Sequence, residues 1–167
     1  MLQIQFGNNK GISMIEMLIV IAILAITLTS LLGLASFSLG VASLIKQTTQ
    51  ANTLAQGITE AVRNFRDQTF WKDNGLGSSA VTVGSAYHPE KTGDSPPKWV
   101  LASGEETIDI FTRKVVFETV YRDTDDNIAE SGTEDLNTKK ATVTVSWQER
   151  GRTHQVVLVT YFTNWRK

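Results

Sequence analysis

The longest apolar run of the chain lies near its N-terminus and is continuous rather than periodic. No ionisable side chain occurs between residues 17 and 45, and residues 17–26 are apolar without interruption. A helix needs about 20 apolar residues to cross a bilayer, whereas the apolar region of a cleaved signal peptide has about 7–15. The pattern therefore predicts a transmembrane helix over residues 12–45 rather than a secretory signal peptide.

A helical period continues beyond this run, but with one apolar face only. The apolar positions recur at the spacing of one helix face, and charged residues take the other face. The apolar stripe comprises Leu54, Ile58, Ala61, Val62 and Phe65. We predict an amphipathic continuation of the same helix over residues 46–72.

The pattern changes after this helix. Residues 73–98 are rich in Gly, Ser and Pro and predict a connecting loop. From residue 99 onward the pattern indicates strands at 99–102, 107–122, 141–147 and 153–162. The last of these is apolar on both faces, as expected of an inner strand, and follows a tight turn over residues 148–151 that requires antiparallel pairing. We predict an α+β fold in which an antiparallel sheet, residues 99–167, packs on the apolar stripe.

Composition argues against several classes of function. A chain of 167 residues holds about one domain, and a net charge of −1 gives no general field for nucleic acid. The absence of cysteine excludes disulfides and thiolate chemistry. Two isolated histidines, His88 and His154, form no zinc-binding or catalytic motif. We therefore expect no enzyme, no cofactor and no nucleic-acid partner.

The feature that a plain membrane anchor does not explain is Glu16, which begins the apolar run. An unpaired carboxylate in lipid costs a few kcal/mol, so a partner or a function is expected for it. The segment Lys10, Gly11, Ile12, Ser13 and then Glu16, five positions after Gly11, resembles the prepilin processing site of type IV pilins and type II secretion pseudopilins.

The resemblance implies a set of roles. Residues 1–11 would be a leader peptide that prepilin peptidase removes by cutting between Gly11 and Ile12, and the same enzyme would N-methylate Ile12. Glu16 would pair with the amino terminus of its own or a neighbouring subunit and set the register of assembly. Many relatives carry Pro midway along the apolar helix; here Gly33 occupies that region. Gly33 is consistent with local unwinding and equally with close helix packing.

Three functions follow from this reasoning. The first is a structural subunit of a type IV pilus-like filament, made of copies of this chain or of other pilins. An assembly platform, a motor ATPase and membrane lipid would be its further partners. The second is a pseudopilin of a type II secretion system, and the third is a membrane-anchored binding module that never polymerises. All three place the chain as a single-pass protein of the cytoplasmic membrane with its sheet domain outside, and the first two add a surface pilus or a periplasmic pseudopilus.

An acidic segment provides one candidate metal site. Asp123, Asp125, Asn127 and Glu134 have the spacing of ligands in a calcium loop. The turn glycine of such a loop is replaced by Ile128, and an ordinary acidic strand connection explains the segment as well.

Overall fold

The computed structural model describes residues 13–165. One helix, α1 (Met14–Gln68), precedes seven strands. The strands are β1 (Ala86–Lys91), β2 (Trp99–Ser103), β3 (Glu106–Ile108), β4 (Phe111–Arg122), β5 (Ile128–Ala129), β6 (Thr133–Glu149) and β7 (Arg152–Thr163). A long N-terminal helix followed by an antiparallel sheet confirms the predicted α+β fold.

The chain divides into two compact units, residues 1–44 and residues 45–167. The described part of the first unit is helical from Met14 onward. Its large apolar side chains from Met14 to Leu39 are each at least 50% exposed. This is the opposite of a soluble core helix, which buries its apolar face.

The second unit contains the sheet, with the main strand order β2-β1-β4-β6-β7. β3 and β5 each pair with one end of β4, and every strand pair is antiparallel. The turn between β6 and β7 consists of Arg150 and Gly151, both with positive φ (49° and 75°), as a two-residue hairpin turn requires.

One face of the sheet packs on the second half of α1. Along β6, Ala141, Val143, Val145 and Trp147 are buried and alternate with half-buried Thr and Ser residues. This period of two places one face of β6 in the core. The helix buries Ala51, Ala55, Ile58, Ala61, Val62 and Phe65. The predicted apolar stripe is therefore the buried face, although Leu54 is only half-buried.

β6 runs antiparallel to the helix along the whole interface. At one end Trp71 Nε1 donates to the carbonyl oxygen of Leu136 at 2.9 Å, and at the other Trp147 Nε1 donates to Gln47 Oε1 at 2.8 Å. The helix from Gln47 to Gln68 is about 32 Å long and β6 from Leu136 to Trp147 about 36 Å, given a rise of about 1.5 Å per helical and about 3.3 Å per strand residue. The β6–β7 turn therefore lies at the Gln47 end of this unit.

Several predictions about elements were wrong. The strand predicted over residues 107–122 is two antiparallel strands, β3 and β4, joined by a turn at Asp109 and Ile110. The strand predicted over residues 141–147 is longer and begins at Thr133. The helix ends at Gln68 rather than at residue 72. The segment predicted as a loop, 73–98, contains β1, which pairs with β2 along its whole length. β7 is an edge strand, not an inner one, and Val157 and Val159 on its outer face are 47% and 53% exposed.

Candidate functional site

The N-terminal candidate site begins just before the first turn of α1. Gly11 and Ile12, the predicted cleavage and methylation positions, lie outside the described residues. Ser13 precedes the helix and its carbonyl oxygen accepts the first helical hydrogen bond, from the N–H of Met17 at 3.1 Å.

Glu16 is exposed in the first turn of α1. A carboxylate at this position interacts favourably with the positive end of the helix dipole. Ser13 and Glu16 also have the Ser-x-x-Glu spacing of a capping box, in which the two side chains cap the first backbone N–H groups. Sequence reasoning assigned Ser13 only to the processing motif, although this spacing is also typical of the residues at the start of a helix.

Gly33 lies in the exposed apolar part of the helix. A Cβ placed on Gly33 would meet no atom within 4 Å apart from the helix backbone itself. One to two turns earlier, the hydroxyls of Thr27, Thr29 and Ser30 donate to backbone carbonyls three or four residues before them. Hydroxyls bonded in this way tend to bend helices. The hydroxyl groups before Gly33 are thus hydrogen-bonded to the backbone of their own helix.

The acidic segment forms a tight turn between β4 and β5. Asp123 Oδ1 accepts the backbone N–H groups of Asp125 and Asn127, each at 2.9 Å. The hydrogen bond from the backbone of Asn127 is the largest influence on Asp123 and holds the pKa of its carboxyl below the ordinary value. The Asp123 carboxylate therefore serves as the acceptor that closes the turn.

Arg122 lies between this turn and β6. Its guanidinium donates to Asp135 Oδ2 and to the carbonyl oxygen of Asp126, both at 2.7 Å. Burial alone would raise the pKa of Asp135, but hydrogen bonds from Arg122, Thr138 and the backbone of Asn137 outweigh it and lower that pKa.

The same hydrogen bond between Arg122 and Asp135 raises the pKa of Arg122.

Among residues 13–165, no three His, Asp or Glu side chains lie close enough together to hold a metal ion. The structure thus does not bring Asp123, Asp125 and Glu134 together as ligands.

The two histidines contact neighbouring residues of the sheet unit. His88 lies within hydrogen-bond distance of the Gly104 carbonyl oxygen (3.2 Å) and of Glu90 Oε1 (3.1 Å). His154 stacks on Trp147 with ring centroids 5.5 Å apart. Each histidine is thus engaged by its own neighbours within the sheet.

The comparison with known families agrees with the N-terminal site. The family model for the prokaryotic N-terminal methylation motif matches residues 7–32. This match supports the resemblance to type IV pilins and pseudopilins, and the helix followed by an antiparallel sheet is a pilin-like architecture. Neither the curated proteins nor the solved structures contain a match to this chain.

Within the described residues, α1 is the one helix long and apolar enough to cross a membrane. Together with the methylation motif, this fits a membrane-anchored, prepilin-like protein.

Proposed function

We propose that the chain is the structural subunit of a type IV pilus-like filament. Prepilin peptidase would cut it between Gly11 and Ile12 and methylate Ile12, and the processed helix would then polymerise. The proposal is carried by one combination: a methylation motif over residues 7–32 in front of a helix whose apolar side chains are exposed.

Exposure of this apolar surface supports assembly. Lipid covers this apolar surface while the subunit resides in the membrane. Once a subunit leaves the bilayer, only the helices of other subunits can replace the lipid, because apolar surface of this extent is unfavourable in water. Helix packing in a filament supplies that cover.

Glu16 provides the specific step. Glu16 follows Ile12, where cleavage would create the new amino terminus, by four positions in the sequence. A charge pair between that amine and a carboxylate is tolerable in a low dielectric, while either charge alone is costly. An incoming subunit whose Glu16 pairs with the amine of its neighbour is therefore held in one register.

The finer alternatives differ in whether a filament forms and where it forms. A pseudopilin of a type II secretion system would assemble a short periplasmic filament from the same helix. A non-polymerising anchored module would use the helix only to stay in the membrane. Platform protein and motor ATPase are partners of the two filament forms alone.

Replacing Glu16 by Gln tests the assembly step. We expect Glu16→Gln to insert and to be cleaved like the wild type, while filament yield in sheared surface or overproduced periplasmic material falls at least about tenfold. The control is Glu60→Gln, which removes the same charge from an exposed position of the same helix, where Glu60 pairs with Arg63 at 2.6 Å. Such exposed pairs contribute little, so this control should assemble normally.

The alternatives predict other results. Wild-type filament yield from Glu16→Gln would contradict the pairing mechanism. Absence of filaments from the wild type itself, with activity and location unchanged in the variant, would indicate the non-polymerising module.

A further inference from the structure

The sheet unit has a basic end that lies at the membrane-proximal part of its helix. Lys46 is the first charged residue after the apolar run, so the bilayer surface is expected near it. The hydrogen bond between Trp147 and Gln47 fixes the end of β6 at this level of the helix. The chain continues beyond Trp147 to the turn formed by Arg150 and Gly151.

This turn lies past Gln47, at the N-terminal end of the helical segment that belongs to the sheet unit. Arg150 follows Trp147 by three positions in the sequence. Because a strand rises about 3.3 Å per residue, the turn reaches up to about 10 Å past Gln47. A second turn, Asp109 and Ile110, lies beside it because Phe111 pairs with Trp147 in the ladder. Ile110 is 50% exposed at its tip.

The basic side chains at this end have no acidic partner. Lys46, Arg150 and Arg152 take part in no ion pair among residues 13–165. Several basic residues elsewhere in the sheet do have acidic partners, since Arg113 pairs with Glu106 and Lys140 pairs with Glu118.

Two acidic residues share the basic end. Glu149 lies opposite Arg152 in the ladder, and Asp109 is on the neighbouring turn. The end therefore has one positive charge in excess. Arg150, in the turn itself, is exposed and lies beyond the last residue of β6.

We propose that this end of the sheet, defined by Lys46, Arg150, Arg152 and Ile110, docks on the phosphate groups of anionic membrane lipids while the subunit resides in the bilayer. The side chains complement an anionic surface in charge, and Ile110 adds a small apolar contact at the interface. The inference rests on the membrane anchoring in the proposed function and is independent of filament assembly. It gives the subunit a defined resting orientation before extraction from the membrane.

A fluorescent label can test this contact in the full chain. The protein has no cysteine, so Gln148→Cys allows one NBD label beside the turn, and Asp73→Cys allows a reference label beyond the other end of the helix. The labelled chains are placed in vesicles that contain a lipid with a nitroxide on its headgroup, which quenches NBD on contact. One set of vesicles contains phosphatidylglycerol, and the other contains only phosphatidylcholine.

We expect quenching at position 148 to be about twofold stronger in the anionic vesicles. Arg150→Asn combined with Arg152→Gln should abolish the difference, and Asn suits the positive φ of position 150. The control, Lys72→Gln combined with Lys98→Gln, removes the same charge from the end near Gln68 and should leave quenching unchanged. Raised salt should weaken quenching in the wild type.

Two results would overturn the inference. One is equal quenching at position 148 in both kinds of vesicle, and the other is a lipid dependence that survives loss of both arginines. Extraction of the chain by alkali would instead show that the membrane anchor itself fails. An inserted chain with an unquenched label contradicts only the docking contact.

Discussion

At the residue scale, the clearest steric constraint is the contact of Gly77 with the indole of Trp71. A Cβ at Gly77 would overlap the ring. Trp71 is buried and its Nε1 donates to Leu136 at the distal end of β6. Only a residue without a side chain lets the loop after α1 close over this ring.

Gly77→Ala should therefore destabilise the sheet unit by about 1–3 kcal/mol, the usual cost of overpacking. Urea unfolding of the full chain in detergent, followed by tryptophan fluorescence, measures the loss. Gly93→Ala is the matched control, since a Cβ there meets nothing within 4 Å. Equal unfolding midpoints for the two variants would contradict the packing role of Gly77.

Residue patterns alone leave two interpretations of the acidic segment open. The spacing of Asp123, Asp125 and Asn127 suits a calcium loop and equally a turn closed by one carboxylate. The structure shows the turn, in which Asp123 accepts two backbone N–H groups and Arg122 lies beside it. Spacing could not distinguish the two, because the guanidinium comes from the preceding strand and its carboxylate partner, Asp135, from a later one.

At the scale of elements, the helix was predictable and the sheet only in part. The apolar run and the following stripe indicate one continuous helix, because the apolar side chains of both must be kept out of water. β1 was missed because its sequence, with Pro89 at its centre, has no alternation of apolar and polar residues. β1 pairs with β4 only through Ala86 and Tyr87, so Pro89 lies beyond that ladder and its missing N–H is tolerated there.

The position of β7 at the edge was hidden for a different reason. Apolar residues on both faces normally indicate an inner strand, since each face must be covered. In β7 the outer face, with Val157 and Val159, is open in the isolated chain. Sequence does not distinguish a face covered by the same chain from one left exposed.

Gly33 allows a prediction about the helix. If Gly33 serves flexibility, Gly33→Ala should stiffen the helix by about 1 kcal/mol and reduce filament yield, although the added methyl group meets no side chain. Filament yield measures the effect. Gly57→Ala is the control, because it makes the same change at an exposed helical position after the apolar run.

A different result would assign Gly33 to close packing. In that case Gly33→Ala assembles nearly as well as the wild type, while the bulkier Gly33→Leu does not assemble.

At the scale of the whole molecule, the two units meet different requirements. Residues 13–44 form an apolar helix with exposed side chains, and residues 45–165 contain the rest of α1 and the sheet, which share a buried core. The methylation motif at residues 7–32 connects the first unit to prepilin processing. The family match ends at residue 32 and therefore does not extend to the sheet unit.

The most direct test of the central claim is the mass of the N-terminal peptide of the native protein, taken from sheared surface material and from membranes. The account predicts a chain that begins at Ile12, carries one extra methyl group and occurs in the sheared fraction. Processed protein found only in membranes would favour a pseudopilin. A chain that still begins at Met1 in both fractions would contradict the account, because an uncut subunit has no new amine to pair with Glu16.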